Sequence, residues 1–176
     1  MRNLQEMRFI HYGSTKLKEM IEMRDKISCL YLNKPYKGLW ASPIGSEYFT
    51  WKDWCEGECY RECNEDNSFI FKIKEGSNIL LLESKEDLYK VKDYIIVESQ
   101  FTKYFDYDKI MDQYNGILLI HGNNYGYFHD IFCFSGENND IYRGMFNSWD
   151  CDSIVIWNSD AIEVEEKLSG VSPLLQ

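Results

Sequence analysis

The chain has 176 residues, of which 44% are hydrophobic and 16% aromatic, and its formal net charge is −10. This length fits a single domain over residues 1–176 with a sizeable core, and it excludes two well-packed domains. The acidic charge disfavours broad binding to nucleic acids, because a polyanionic phosphate backbone is repelled by the average field.

The sequence carries neither an export signal nor a membrane span. MRNLQEMRFIHYGS (1–14) has no apolar stretch that ends in a small-residue cleavage site. The longest apolar runs, ILLL (79–82) and GILLI (116–120), are too short to cross a bilayer. We therefore expect a cytoplasmic protein that does not contact membranes, and we expect its six cysteines to be reduced thiols.

In the first half of the chain, apolar runs that end at glycine or proline alternate with capped amphipathic segments. MRFIHYG (7–13) is β-prone and ends at a glycine, after which Ser14 can cap a helix. Pro43 ends a second β-prone run, and Ser46 begins an aromatic segment of helical character. We predict strands at 7–13 and 38–42, and helices at 14–27 and 46–63.

The second half of the chain is dominated by short strands. SFIFKIKEG (68–76) alternates between apolar and polar residues, and the turn-like 76–78 joins it to a second apolar run, so the two runs predict a hairpin. Helices are predicted at 84–91 and 105–114, strands at 116–120, 125–136 and 153–157, and a helical turn or short strand at 161–168. The lack of strict strand–helix alternation favours an α+β fold with antiparallel pairing.

Three cysteines at C-x3-C-x3-C spacing are the first candidate site. On one helix, Cys55, Cys59 and Cys63 would share a face and could ligate zinc or an iron–sulfur cluster. The spacing lacks the second ligand pair of a zinc ribbon, so semi-buried thiols are the favoured interpretation and no metal is predicted.

The histidines divide into two kinds. His121 and His129 lack the spacing of known metal motifs. His11 ends a predicted strand and precedes Tyr12 and Gly13, so the backbone can turn sharply and expose the imidazole at a cleft. A partly buried, hydrogen-bonded imidazole is an equal alternative, and the sequence leaves both open.

Motifs for nucleophilic hydrolysis and for phosphate binding are absent from the sequence. It contains no G-x-S-x-G elbow, no Walker loop and no G-x-G-x-x-G segment. A triad hydrolase and a P-loop nucleotide-binding protein are therefore both poorly supported.

Two aspartates precede the strand predicted at 153–157. Asp150 and Asp152 can form a solvated turn, because Asp is common in turns, or can hold a carboxylate at the mouth of the strand. The sequence alone leaves these alternatives open.

Taken in chain order, these segments form a recognisable series. A strand ending in His-Tyr-Gly (11–13) is followed by the strand GLWASP (38–43), the aromatic helix EYFTWKDW (47–54) and the late aspartates. The series resembles the NAD-dependent ADP-ribosyltransferase superfamily, whose members place a His or Arg, a Ser/Thr or aromatic residue, an aromatic helix and a late acidic residue in this order. The segments 106–120 and 153–164 are also similar to the helix, turn and closing strand of small members.

The resemblance implies a role for several residues. His11 would bond the adenosine-side ribose, and the backbone of Tyr12 and Gly13 would approach the nicotinamide amide. Asp152 would bond the nicotinamide ribose and stabilise the oxocarbenium-like transition state, and Ser42 would brace that acidic residue or a ribose hydroxyl. The remaining implied NAD contacts are aromatic, with Tyr48 or else Trp51 stacked on the nicotinamide ring: Trp40, Tyr48 and Trp51.

One departure from the family pattern concerns the catalytic acid. The family mostly uses Glu there, whereas this chain offers only Asp150 and Asp152, whose side chains are one methylene shorter. The aromatic residues can also be ordinary core packing of an amphipathic helix.

The fold implied by the resemblance is an ADP-ribosyltransferase-like split antiparallel β-core of two small sheets with a few short helices. The implied function is mono-ADP-ribosyl transfer from NAD to a macromolecular acceptor. The acidic surface favours a protein acceptor over nucleic acid. The resemblance also implies a bacterial or phage effector or anti-defence protein.

Two other functions remain open on the sequence. One is a catalytically inactive acidic binding module of the same fold that docks on a basic protein, which the Glu-to-Asp departure supports. The other is a thiol-metal protein built on the three cysteines.

Overall fold

A curled β-sheet is the main feature of the fold, which is of the α+β class. The computed structural model describes residues 3–13, 22–23, 26, 33–46, 49–59, 67–84, 86–97, 103–120, 146 and 149–169. The strands are β1 (Arg8–Tyr12), β2 (Glu22–Met23), β3 (Lys37–Pro43), β4 (Asn67–Ile73), β5 (Ile79–Leu82), β6 (Ile95–Val97), β7 (Lys103–Phe105), β8 (Gly116–Leu119), β9 (Ser153–Ile156) and β10 (Ile162–Ser169). The helices are α1 (Trp51–Gly57) and α2 (Tyr107–Gln113), with 3-10 helices at Leu4–Glu6, Glu86–Tyr94 and Ser159–Ala161.

Seven strands follow one another across the main sheet in the order β10-β4-β1-β3-β9-β8-β5, and β2 pairs with β3 beside this path. The pair β5–β8 is parallel, and the other pairings among the described strands are antiparallel. The strands β6 and β7 form a separate small sheet. The predicted α+β class with antiparallel pairing is therefore confirmed, and the parallel pair is its exception.

Local sequence located most strands but not their partners. The predicted strands at 7–13, 38–42, 116–120 and 153–157 are confirmed, and the final segment is a 3-10 turn followed by a strand. The predicted hairpin at 68–82 is wrong, because β4 pairs with β1 and β10 while β5 pairs with β8. Although only a short turn joins β4 to β5, each of these strands pairs with strands that are distant in the sequence.

Two helix predictions need correction. The helix predicted at 14–27 is wrong at Glu22–Met23, which pair with the start of β3, and apart from Lys26 its other residues lie outside the described part. The helix predicted from Ser46 begins at Trp51, because Thr50 and Asp53 form a capping box there. The helices predicted at 84–91 and 105–114 are found as the 3-10 helix Glu86–Tyr94 and as α2. The strand predicted at 125–136 lies outside the described residues.

The two faces of the main sheet carry separate hydrophobic clusters. One cluster comes almost entirely from strands and includes Phe9, Leu39, Phe71 and Ile154. The other lies beneath α2, the 3-10 helix at 86–94 and the small sheet, and it includes Leu80, Phe105, Ile110, Trp149 and Val155. Successive side chains along β3 and β9 point to opposite faces of the sheet and therefore pack in different clusters.

Asn33 ties the second of these clusters together. Its amide donates to the carbonyl of Lys103 at 3.1 Å and accepts from the N–H of Phe105 at 3.0 Å. Its own backbone carbonyl accepts the Tyr107 hydroxyl at 2.7 Å and the Trp149 indole N–H at 3.1 Å. Asn33 has φ +48°, a left-handed conformation that asparagine tolerates better than most residues. This buried residue fastens the approach to β3 onto β7, α2 and the approach to β9.

Two glycines allow close packing against β9. A Cβ on Gly38 would lie 2.4 Å from Val155 Cγ1, and a Cβ on Gly116 would lie 2.5 Å from the carbonyl oxygen of Val155. Gly38 also has φ +150°, which strains other residues. The neighbours of β9 on both sides therefore require glycine at these positions.

A bulge marks the pairing of β10 with β4. The register shifts between Val164 and Glu166, which leaves Glu165 between them. The Glu165 carboxylate forms ion pairs with Lys72 on β4 and, at 2.7 Å, with Arg8 on β1. One side chain at the sheet edge thus spans the two strands next to it.

No helix in the part of the chain described by the structure is long and apolar enough to cross a membrane.

Candidate active site

The three predicted catalytic residues lie on three neighbouring strands. His11 is on β1, Ser42 is near the end of β3, and Asp152 immediately precedes β9. These strands are consecutive in the sheet, in the order β1-β3-β9. Residues from opposite ends of the sequence are therefore gathered in one region of the sheet.

Asp152 is buried and held through both its backbone and its side chain. It is 2% exposed. Its N–H donates to the carbonyl of Phe49 at 3.1 Å, and its carbonyl accepts from the Ser42 hydroxyl at 2.9 Å. Its carboxylate Oδ2 accepts from the Ser46 hydroxyl at 2.5 Å. Asp150 is exposed, so the two aspartates have different surroundings and Asp152 is not part of a solvated turn.

The start of α1 is fastened to the same point. Thr50 forms an isolated parallel bridge with Asp152, and the N–H of Trp51 donates to the Ser42 hydroxyl at 2.7 Å. The Thr50 hydroxyl and backbone N–H donate to the Asp53 carboxylate, which holds the pKa of Asp53 below its ordinary value. Ser42 therefore links Asp152 to the first turn of α1.

His11 is 8% exposed, and its ring packs 5.3 Å from that of Phe69. Its Nδ1 lies 2.6 Å from the carbonyl oxygen of Trp40. Because a carbonyl can only accept, Nδ1 carries the hydrogen of this bond. The structure matches the buried, hydrogen-bonded alternative for His11.

Strand register assigns the predicted residues to faces. Ile10 pairs with Ser42, so Ser42, Trp40 and Tyr12 lie on one face and His11 lies on the other. The pairing of Ala41 with Ile154 places His11 level with Ile154, and alternation puts Asp152 on the face of His11. His11 and Asp152 are separated by two inter-strand spacings across the sheet and by two residues along the strand. This separation corresponds to about 12 Å between their Cα atoms. His11 and Asp152 therefore lie on the same face of the sheet, with β3 between their strands.

The predicted aromatic contacts are engaged with protein partners. Trp40 is half-buried and packs against Trp149 at 4.9 Å, with the Lys34 ammonium 5.5 Å from its ring centre. Trp51 stacks on Trp54 at 4.6 Å and an interplanar angle of 7°. These tryptophans lie in separate stacks, one on the α2 side of the sheet and one on α1.

The remaining predicted contacts lie at the end of β1 and in the segment before α1. Tyr12 is buried, and Gly13 has φ +108° with its N–H donating to the carbonyl of Asn67 at 2.8 Å. That conformation favours glycine at position 13. Tyr48 lies outside the described residues, as do His121 and His129.

The cysteines do not form one helical face. Cys55 is buried on α1, whereas Cys59 is exposed beyond the end of the helix with φ +49°, and Cys63 lies outside the described residues. The sequence-based expectation of a shared helical face is wrong for Cys59, because α1 ends at Gly57. Among the described residues, no group of three or more His, Cys, Asp or Glu side chains could hold a metal ion.

Cys151 lies next to Asp152, and sequence reasoning missed it. Burial raises the pKa of its thiol to about 11, with smaller upward contributions from Asp150 and Asp152, while a hydrogen bond with Ser153 lowers it. The thiol is therefore protonated near neutral pH and is a poor nucleophile. Cys151 therefore contributes to the packing beside Asp152.

Sequence reasoning also missed the contact of Ser46 with Asp152. Ser46 follows Gly45, which has φ +77°, and the sequence predicts Ser46 as the start of the helix at 46–63. The Thr50-x-x-Asp53 capping box in the sequence would have moved the helix start to Trp51 and left Ser46 in the preceding segment. No local signal pairs Ser46 with a residue so distant in sequence.

No family model, curated protein or solved structure matches this chain. The resemblance to ADP-ribosyltransferases therefore rests on the sequence motifs alone. The geometry offers a buried carboxylate that accepts from the Ser46 hydroxyl, a backbone carbonyl of the same residue that accepts from the Ser42 hydroxyl, and an imidazole on the far side of β3. Such a carboxylate can stabilise developing positive charge or accept a hydrogen bond from a hydroxyl group.

Proposed function

We propose that the protein transfers ADP-ribose from NAD to a protein acceptor, with Asp152 as the catalytic carboxylate in an ADP-ribosyltransferase-like fold. The observation that carries the proposal is the placement of His11 and Asp152 on one face of the sheet, with β3 between their strands and Ser42 bonded to the Asp152 segment. NAD has two riboses joined by a diphosphate, and the proposal assigns one ribose to each of these residues.

The proposed reaction exchanges one bond to the ribose for another. The glycosidic bond between nicotinamide and ribose breaks, its electron pair leaves with neutral nicotinamide, and positive charge develops on the ribose. A nucleophile of the acceptor bonds to the same carbon and loses its proton to solvent. The Asp152 carboxylate stabilises the charge on the ribose, and a buried site strengthens that interaction.

The other implied contacts keep their proposed roles. His11 contacts the adenosine-side ribose, and the backbone at Tyr12 and Gly13 contacts the nicotinamide amide. Ser42 fixes the Asp152 segment through the carbonyl contact. The aromatic contacts proposed for NAD are Trp40, Tyr48 and Trp51. We also propose that the protein acts in the cytoplasm.

The surface beside the site supports a basic protein as acceptor. Ile44 and Phe49 are exposed large apolar residues, and Phe49 is bonded directly to Asp152 through its carbonyl. The exposed acidic residues of α1 and its end follow Phe49 in the sequence: Asp53, Glu56 and Glu58. A partner with cationic side chains around an apolar group complements this surface, whereas a nucleic acid does not.

The test is the release of nicotinamide from NAD by the purified protein and by Asp152→Ala. We expect at least about a 100-fold loss of rate, as for other groups that stabilise transition-state charge. Asp150→Ala is the matched control, because Asp150 is exposed two residues away, and it should retain the rate. An equal rate in wild type and Asp152→Ala, with both proteins folded by circular dichroism, would remove Asp152 from the mechanism.

The burial of Asp152 favours a second candidate function. A carboxylate that is 2% exposed and already hydrogen-bonded suits a protein that has lost catalysis and acts as an acidic docking module. That function predicts no nicotinamide release and no NAD binding. It also predicts an affinity for a basic partner that falls steeply as salt concentration rises.

A further inference from the structure

We propose that Ser46 is a positioning residue that holds the Asp152 carboxylate in place for the reaction. The inference rests on the proposed function for its consequence in catalysis. The contact itself is a property of the protein without NAD.

The first support is that two serines form hydrogen bonds to different parts of Asp152. Ser42 is 1% exposed, and its hydroxyl donates to the backbone carbonyl of Asp152 and accepts from the N–H of Trp51. Ser46 donates to the carboxylate oxygen Oδ2. Ser42 therefore fixes the position of the chain at Asp152, and Ser46 fixes the orientation of the side chain.

The second support is the shortness of the aspartate side chain. Asp has one methylene fewer than the Glu that the family pattern favours, so its carboxylate depends more closely on backbone placement. The backbone is held by the carbonyl of Phe49, the hydroxyl of Ser42 and the bridge to Thr50. With Oδ2 bonded to Ser46, rotation about χ2 of Asp152 is restricted.

The third support is electrostatic. A hydroxyl that donates to a buried carboxylate stabilises its ionised form. The proposed chemistry requires the ionised form, because a protonated acid cannot stabilise positive charge on a ribose. Ser46 thus serves both the geometry and the charge of Asp152.

The experiment compares Ser46→Ala with Ser46→Thr, which keeps the hydroxyl. Ser77→Ala is the matched control, because Ser77 is also partly buried and donates to a backbone carbonyl, that of Ala161, at 3.1 Å. Two quantities are measured for each variant. The first is the titration of the Asp152 side-chain carboxyl by carbon-13 NMR in the absence of NAD, and the second is kcat and KM for nicotinamide release.

We expect the titration midpoint of Asp152 to be higher in Ser46→Ala than in wild type, because the ionised carboxylate loses a hydrogen-bond donor. We expect kcat to fall about tenfold or more with KM for NAD within about twofold, because misplacement of a catalytic group acts on the chemical step. Ser46→Thr should restore both quantities, and Ser77→Ala should change neither.

Two results would overturn the inference. An unchanged midpoint in Ser46→Ala would mean that the hydroxyl does not act on the carboxylate. A lower KM with equal or higher kcat would mean that Ser46 competes with the substrate for Asp152. A wild-type protein that releases no nicotinamide would overturn the proposed function, while the NMR midpoint would still decide whether Ser46 holds the carboxylate.

Discussion

Asn33 and Asp152 are both buried polar residues that join segments far apart in the sequence, yet they differ in charge. The Asn33 amide uses both a donor and an acceptor on the backbone of β7, which is the complete complementarity expected of a structural amide. Asp152 is an acceptor when ionised, and burying its charge carries a desolvation penalty. An asparagine at position 152 could accept the Ser46 hydrogen bond without that penalty.

The comparison teaches where to look for function. A neutral amide that forms hydrogen bonds to the backbone is accounted for by stability. A stable fold does not require a buried carboxylate, and such groups are concentrated at functional sites.

The largest effect is expected for Asp152→Asn, which keeps the shape of the side chain and removes its charge. Nicotinamide release should fall at least about 100-fold, because the stabilisation of positive charge on the ribose is lost. The melting temperature should stay within a few degrees of wild type or rise, because the desolvation penalty also disappears. Kinetics and thermal unfolding on the same sample check both parts. A variant that melts much earlier would assign Asp152 a structural role like that of Asn33.

Asn33→Ala should lower the free energy of unfolding by about 2–4 kcal/mol without a specific effect on the site. The carbonyl of Lys103 and the N–H of Phe105 lose their partner, and alanine is strained at φ +48°. Urea titration gives the change, and Asn33→Gly isolates the hydrogen bonds, because glycine removes the backbone strain. A loss below about 1 kcal/mol in Asn33→Ala would contradict the role of Asn33 in joining these segments.

Gly116→Ala should lower the free energy of unfolding by about 1–3 kcal/mol, because the new Cβ meets the Val155 carbonyl and forces β8 away from β9. Gly57→Ala is the control, since nothing lies within 4 Å of a Cβ there. Denaturant unfolding of both variants measures the difference. Equal stabilities would show that β8 and β9 can separate freely, and the region before β9 would then be less rigid than the region around Asn33.

The smallest effect is expected for Glu165→Gln, an exposed carboxylate that contrasts with Asp152. Hydrogen bonds from Lys72 and then Arg8 hold the pKa of Glu165 below its ordinary value. Its stabilisation is therefore fully present above the unfolded pKa of about 4.3 and is lost as pH falls through the lower folded pKa. The difference in melting temperature between wild type and Glu165→Gln should be small at pH 7 and should decrease as the pH falls below the unfolded pKa of about 4.3. Glu163→Gln, on the same strand, is the control; a difference that does not decrease as the Glu165 carboxylate is protonated would show that the ion pairs are not its source.

Sequence predicted the elements of this fold better than their arrangement. Apolar runs such as GILL (116–119) and SIVI (153–156) identify strands, because burial on both faces leaves little room for polar residues. The residues of a strand do not identify the strand with which it pairs, and so the predicted hairpin at 68–82 was wrong. The small sheet of β6 and β7 was missed because its strands have three residues each.

The candidate site follows the same division. His11, Ser42 and Asp152 were named from residue type and chain order, and the structure places them on consecutive strands. The sequence could not show that Ser46 reaches Asp152 or that β1 and β3 turn His11 and Trp40 to opposite faces. Both facts depend on strand register and on the packing of the segment before α1.

The position of β9 has a consequence for the order in which the chain folds. Although it is near the end of the described sequence, β9 lies inside the sheet, between β3 and β8. Until residues 153–156 have been synthesised, β4-β1-β3 and β8-β5 remain two fragments with no strand between them. Pairing between strands that are distant in the sequence is slow, so we expect β9 to pair late in folding and to join the two fragments. Because Asp152 enters with that strand, the chain acquires its fold and its carboxylate in the same step.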